Sequence, residues 1–357
     1  MVANPVTPPS SSRHPVSCIA RAGPAGCAVA ISLCRAGKTV DLVSPTRRVD
    51  IGPRNLQTFG RNAVALLEQC SVSRRDLASV ASPVEVFNTR WNTRGEHYEM
   101  SGLSCASSIV IDRRSLDPLL EQAARNHGAN LISDRALSIY RTKAGRRWSV
   151  TCEQKLLVET TIVVDASGRS ARFARRAGCR LKVFDSLIAW TVEGYKLPSS
   201  TKAAVEIEAC DEGWIYRASD GVGPFVSTFF GSKARRSPGF SGFDRAKSGE
   251  NPSSGVRIES AAVTYLDTAV TPGLVAVGDA SHTTDPLSGQ GVAMALEEGL
   301  LLGTALANAL EGDNKGVFRF EALRRQKIET HIKERRSHYL AAGRFENSFW
   351  AERCRTD

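Results

Sequence analysis

From Pro15 the chain takes on a regular pattern of short apolar runs and amphipathic stretches. Val16–Ala20 is a short apolar strand. It is followed by Arg21-Ala22-Gly23-Pro24-Ala25-Gly26, an Ala-rich helical run from Cys27 to Arg35 stopped by Gly37, and a second strand, Thr39–Val43. Strand, tight glycine turn, helix and strand make a βαβ unit. A helix is predicted over Asn62–Gln69 and another over Arg114–His127, where Leu116, Leu119, Leu120 and Ala123 share one face and Gly128 ends the run. Val84–Ser108 is mixed and polar and reads as short strands. Strands are also predicted over Leu137–Thr142, Trp148–Cys152 and Thr161–Asp165, the last ending in Ala166-Ser167-Gly168. Leu187–Phe230 is strand-rich and aromatic, and Gly231–Ser254 reads as a long loop of Gly, Ser, Pro and Arg. A last strand, Leu274–Val277, runs into Gly278-Asp279 ahead of a helix from Gly291 to Leu310. The tail from Phe318 is helical and charged up to the cluster Phe345, Phe349, Trp350. No internal repeat is present, and no apolar run approaches the ~20 residues of a membrane span.

Length and composition narrow the class. A chain of 357 residues holds two domains or one large one. With 42% apolar and 24% charged residues it is neither disordered, collagenous nor a coiled coil. The net charge of +10 comes from Arg pairs scattered along the chain, whereas nucleic-acid binding needs charge gathered on one face. The run Arg324–Arg336 reads as a solvated helix face. Nine Cys form no CxxC pair and no zinc-spaced cluster, so no metal site is expected. The odd count fits reduced thiols in a cytoplasm. Residues 1–14, rich in Pro and Ser, form no secretory signal and are expected to be a disordered lead-in.

Two turns carry candidate chemistry. In the first, Gly23 and Gly26 stand at the second and third positions of a dinucleotide-binding GxGxxG, but Arg21 holds the first. The acid that would hold the ribose hydroxyls is replaced by Ser44. This turn reads equally as a phosphate cradle or as a plain strand-to-helix turn. Ser44 followed by Arg47 and Arg48 would suit a 2′-phosphate, so NADP stays in play. The second turn is more specific. Gly278-Asp279 ends a strand, and Asp285-Pro286-Leu287-Ser288-Gly289-Gln290-Gly291 opens a helix. Such a turn sets a carboxylate against polyol hydroxyls and aims free N–H groups at an anion.

This second turn resembles the GD…DP..GxG segment of flavoprotein monooxygenases of the p-hydroxybenzoate hydroxylase type and of the flavin-dependent halogenases. Asp112-Arg113 with Leu116-Asp117, and Asp165-Ala166-Ser167-Gly168, match in the same order, and the resemblance spans Pro15–Arg353. Gly213-Trp214-Ile215-Tyr216 and Tyr339-Leu340 through Phe349-Trp350-Ala351-Glu352-Arg353 resemble the branch that builds tryptophan-derived quinone cofactors in amine and amino-acid oxidases. The resemblance implies that Asp279 holds the ribityl chain of FAD. It places N–H groups of Pro286–Gly291, with Gly289 and Gln290, at the flavin N1–C2=O edge. It sets Gly23, Ala25 and Gly26 around the pyrophosphate and Arg113 near it. The chain departs from the family at Arg21, at Ser44 and at Gly52-Pro53, where the family has GE, so FAD is expected to bind weakly. The stretch Val84–Trp91 holds no halogenase lysine, and WxWxIP is absent. His282 is the candidate proton donor or a structural histidine, with Pro286 beside it in the catalytic turn. Trp190, Trp214 and Tyr216 are candidates to line the substrate face or to serve as core.

The expected architecture is α/β. A Rossmann-like FAD domain is assembled from discontinuous segments 15–83, 105–175 and 270–315. An antiparallel-sheet substrate domain takes 84–104 and 176–269, and a C-terminal helical segment takes 316–357. The resemblance implies an FAD-dependent monooxygenase hydroxylating an aromatic ring through a flavin C4a-hydroperoxide, with NAD(P)H as a candidate electron donor. The substrate is an aromatic compound or a tryptophyl side chain within a partner protein; no nucleic-acid or membrane partner is expected. The rival readings are a flavin-dependent reductase of a small molecule, and a non-catalytic relative acting as a binding partner.

Overall fold

The computed structural model describes residues 17–45, 52–92, 94, 96, 98–101, 107–142, 147–154, 157–194, 202–232 and 255–354. The lead-in 1–14, Arg47-Arg48 and residues 233–254 with Arg235 and Arg236 lie outside them.

The strand Ser17–Ala20 is buried at every position, as a strand covered on both faces must be. Helices pack on the Ile19 side. The antiparallel strands Ala136–Arg141, Trp148–Cys152 and Leu157–Thr160, with the helix Arg172–Arg176, pack on the Cys18 and Ala20 side. It pairs in parallel with Val40–Ser44 and with Ile162–Asp165. Asn130–Ser133 extends this sheet on one side and Leu274–Ala276 on the other, both parallel, and Val270–Thr271 adds an antiparallel edge. Eight α-helices lie within the described residues: α1 (Pro24–Arg35), α2 (Arg61–Gln69), α3 (Arg74–Ala78), α4 (Arg113–Asn126), α5 (Arg172–Arg176), α6 (Gly291–Ala309), α7 (Lys315–Ala341) and α8 (Ser348–Cys354). The sequence pattern passes over α3 and α5 because five residues span too few turns to show a 3.6-residue period, whereas α8 falls within the segment expected to be helical.

Helix α6 crosses α1 at very short range. A Cβ on Gly299 would stand 2.6 Å from the Ala25 carbonyl oxygen, and one on Gly303 would stand 2.5 Å from Ser32 Cβ. Only glycine permits that approach. By length and composition α6 is apolar enough to cross a membrane, which corrects the reading that no run came near that length. Half of it is buried within the fold, between α1 and α7, and it carries Glu297 and Glu298. A helix clad on several sides is apolar all round for that reason.

The second sheet has seven strands, in the order Val256–Ser260, Leu187–Glu193, Val226–Ser232, Gly213–Asp220, Ala203–Cys210, Val86–Arg90, Tyr98–Ser101. It draws strands from both segments assigned to the substrate domain. One pair departs from the expected antiparallel pattern: Ala203–Cys210 runs parallel to Val86–Arg90, because the latter arrives from a distant part of the chain. Gly231 and Ser232, expected in the loop, continue a strand.

Candidate cofactor and aromatic site

Three separated chain segments converge at the ends of the parallel strands. Arg21 leaves the first strand with φ +91°, a backbone region that favours glycine. Its exposed side chain runs toward Gly168. A Cβ on Gly26 would come 2.2 Å from the Arg21 carbonyl oxygen and 3.2 Å from Ala166 Cβ, so this glycine is required by the turn itself. Gly278, at φ +59°, would place a Cβ 2.8 Å from that of Ala25. The turns at 21–26, 165–169 and 278–279 are thus in mutual contact. Gly23, in contrast, faces open space.

Asp165 is a structural member of this group. Fully buried, it accepts the N–H groups of Ser167, Phe173 and Ala174 at 2.8–2.9 Å and so fixes the turn that opens α5. Asp279 remains partly open, with Arg169 Nε 3.8 Å from its carboxylate. Arg113 pairs along α4 with Asp117, at 2.7 Å. Asp112 caps α4 through Arg114 N–H at 3.0 Å.

The Pro286–Ser288 turn is held from below. Asp285, 1% exposed, accepts the Leu287 N–H at 3.0 Å, Arg335 Nε at 2.9 Å and the Tyr339 hydroxyl at 3.0 Å. Its own N–H donates to His331 Nε2 at 2.8 Å. Arg335 also reaches the buried Asp185 at 2.6 Å. Three turns earlier, Arg324 donates to the carbonyls of Leu266 and Ser281 and pairs with Glu321. The expected solvated face of this helix therefore holds two of the most buried cations in the fold. Arg324, His331, Arg335 and Tyr339 follow spacings of seven, four and four, the interval of one helix face. That stripe was visible in the sequence, but its polar residues hid it from a reading based on apolar periodicity.

His282 is 5% exposed. Its Nδ1 is 3.0 Å from Ser281 Oγ and its Nε2 is 3.5 Å from Glu298 Oε1. Burial drives the pair toward neutrality, holding the imidazole down at about 3 and pushing the Glu298 carboxyl up to about 7. Between these values the contact joins two uncharged groups, so it is no ion pair. Glu298 packs beneath the Gly278–Ala280 turn, with both oxygens lacking a well-formed hydrogen bond and Lys327 4.0 Å away.

The three aromatic candidates divide between the faces of the seven-stranded sheet. Trp190, Ile215 and Phe229 share one face, because Phe229 pairs in register with both others. Trp214 and Tyr216 lie on the opposite face. Tyr216 bonds Thr58 at 2.8 Å, and burial pushes its phenol up to about 12. Trp214 stacks on Phe230 with centroids 4.0 Å apart and donates to the Tyr339 hydroxyl at 3.1 Å. Around Tyr339 gather Trp91, Trp350 and Phe349, with ring centroids at 5.8–6.3 Å, and the half-buried Trp91 donates to the His338 carbonyl at 2.7 Å. Sequence reading passed over Trp91 and Tyr339 as site residues, because their proximity depends on distant segments.

A parallel sheet with a glycine turn at its first helix, a carboxylate-bearing turn at a later strand end and a second sheet beside them define a flavin-type oxidoreductase fold. The residues fit FAD at two ends. The N-termini of α1 and α6 carry no side-chain cap, and the backbone at Gly23 and Gly289 is open. They leave N–H groups free for a pyrophosphate and for an electron-rich ring edge. At the ribose the fit is poorer, since Ser44 replaces the acid. The sequence profile of the tryptophan halogenases matches residues 73–357, and the chain belongs to that family of FAD-dependent oxidative enzymes. Among solved structures it is similar to QhpG, a peptidyl tryptophan dihydroxylase essential for tryptophylquinone cofactor biogenesis. The two are 22% identical, with a TM-score of 0.77 over 95% of this chain and 78% of that one. The flavin-dependent brominase Bmp2 is 18% identical, with a TM-score of 0.74 over 91% of this chain and 87% of that one. CtdE, solved in complex with FAD, is 17% identical, with a TM-score of 0.69 over 89% and 91%. Among curated proteins no sequence matches.

Proposed function

We propose that this enzyme uses FAD to hydroxylate an aromatic ring, and that the ring is a tryptophyl side chain of a partner polypeptide. The observation that carries the reading is the position of the Tyr339 hydroxyl. It bonds Asp285 under the Pro286 turn and receives Trp214 from the sheet, so the turn and an aromatic face form one unit. Trp214 and Tyr339 are themselves fully packed, and the half-buried Trp91 beside them is the ring of this cluster left open to an indole. Similarity to the peptidyl tryptophan dihydroxylase supports the same substrate class. The lack of lysine between Val84 and Trp91 favours oxygen over halogen.

In this reading Asp279 accepts from the ribityl hydroxyls. Gly23, Ala25 and Gly26 let α1 approach the pyrophosphate, with Arg113 on its flank. The N–H groups of Leu287 to Gln290 are spent within the turn, so the uncapped N–H groups of α6 from Gly291 onward are the ones that would face the flavin N1–C2=O edge and stabilise charge there. FAD supplies oxygen activation when bound, with electrons from NAD(P)H. The protein's own part is to orient the ring, to exclude water with Trp214 and Tyr339, and to hold the turn rigid. His282, buried against Glu298, supports the Asp279 turn.

The test supplies purified protein with FAD, NAD(P)H, a flavin reductase, O₂ and halide salts, together with Trp-containing peptides. Mass spectrometry should show the peptide gaining oxygen. A halide-dependent gain of chlorine or bromine, or oxygenation of free tryptophan alone, would overturn the proposal.

A further inference from the structure

Most arginines of the interior and the sheet surfaces are ion-paired: Arg54, Arg113, Arg114, Arg217, Arg324 and Arg335 each meet a carboxylate. Helix α5 behaves otherwise. Arg172, Arg175 and Arg176, with Arg180 four residues on, line one open concavity of about 740 Å³ with Ser170 and Leu181. All four are exposed, and none has a carboxylate within ion-pair distance among the described residues. The acids near the groove are already engaged, Glu321 by Arg324 and Arg325. Asp165 is committed to three backbone N–H groups, and Asp267 accepts the Arg180 and Thr268 N–H groups and is held as an anion by them and by the nearby Arg180 and Lys182 charges. Four exposed guanidinium groups without a carboxylate partner among the described residues are thus gathered here.

We infer that this groove docks an acidic segment of a partner polypeptide. Its shape and rim favour that occupant. The groove is open, and its guanidinium groups are spread along a helix and the turn after it, which suits several carboxylates along a chain. Leu181 contributes apolar lining. Val183, on the same side of the strand Leu181–Val183, is 65% exposed, and Phe184 follows it. Apolar groups at the edge of a charged groove fit a peptide. No aromatic side chain lines the groove on which a base could stack, and its four arginines are too few to track a nucleic-acid backbone. The groove starts at Ser170, the residue after Arg169, which faces Asp279. An acidic segment bound here is held beside the cofactor turns. This inference stands apart from the proposed reaction: it concerns recruitment and holds whether the chemistry is hydroxylation or not.

Binding of a short fluorescein-labelled poly-Glu peptide to the full chain, read by anisotropy at low salt, tests it. Arg175→Glu with Arg176→Glu should weaken binding at least about tenfold. Arg75→Glu with Arg125→Glu makes the same charge change on α3 and α4 and should have little effect. Wild-type affinity should fall as salt screens the charges. Thermal melts and FAD titration of both variants should match wild type, because the substituted side chains are exposed. Equal losses in the two double variants would overturn the proposal by showing only a general charge effect. It would also fall if the groove variant bound the peptide as tightly as wild type. Displacement of the peptide by pyrophosphate, or tighter arginine-dependent binding of a single-stranded oligonucleotide, would overturn the acidic-peptide assignment.

Discussion

Arg21 holds a backbone conformation, φ +91°, that glycine adopts without a Cβ clash, and other residues do so at a cost of about 1–3 kcal/mol. The same residue stands at the mouth of the α1 turn, with its side chain directed toward Gly168. Arg21→Gly should therefore raise FAD affinity, and Ser44→Glu should raise it further by restoring an acceptor for the ribose hydroxyls; calorimetric titration that shows no gain would dissociate this turn from the cofactor. A second residue-scale expectation concerns Glu298. Its folded carboxyl is pushed up to about 7 from an ordinary 4.5. The folded state thus keeps a proton that the unfolded state loses. The stabilising contribution is complete below pH ~4.5 and declines as pH rises through about 7. Glu298→Gln cannot lose that proton, so its urea midpoint should vary less between pH 5 and pH 7.5 than that of the wild type. His282, lowered to about 3, has the opposite sign, its contribution growing as pH rises toward 6.5.

At the scale of elements, α7 governs the turn that opens α6. Its buried stripe reaches Ser281 through Arg324 and Asp285 through Arg335 and Tyr339. Arg335→Met would leave Asp185 and Asp285 buried without their cation, which costs roughly 3–5 kcal/mol. We expect a large fall in the urea midpoint together with weaker FAD binding. Tyr339→Phe removes one hydrogen bond at each end and should cost less, about 1–3 kcal/mol. A Tyr339→Phe protein as unstable as Arg335→Met would show that the hydroxyl, and not the ion pair, anchors the turn. Sequence reading located Asp279 and the Pro286–Gly291 turn because Gly and Pro punctuate the chain locally. It misjudged the helix beneath, since burial of Arg324 and Arg335 depends on carboxylates and carbonyls contributed by residues 185, 266, 281 and 285.

Across the whole molecule, Arg54 ties the parallel-sheet side to the seven-stranded sheet by pairing with both Asp112, at the cap of α4, and Asp220. Its guanidinium and nearby N–H groups hold the Asp220 carboxyl down at about 2. The sign follows: stability from this contact is full above pH ~4 and is lost as pH falls through about 2. Asp220→Asn should lower stability at pH 7 and flatten its dependence on acid below pH 4, as followed by circular dichroism. The sequence by itself determined the α/β class, the βαβ start and the glycine-bearing turns, because helix and strand periods and turn chemistry are local properties of neighbouring residues. It also carried the family likeness, which is linear order and spacing. Tertiary structure decided which face of the sheet Trp190 and Trp214 occupy, which arginines are buried, and where unpaired positive charge collects. It also brought Trp91 beside Tyr339, 248 residues away along the chain. These depend on pairing between segments far apart in the chain, and burial there reverses the preference of a charged side chain for water once a buried partner is supplied.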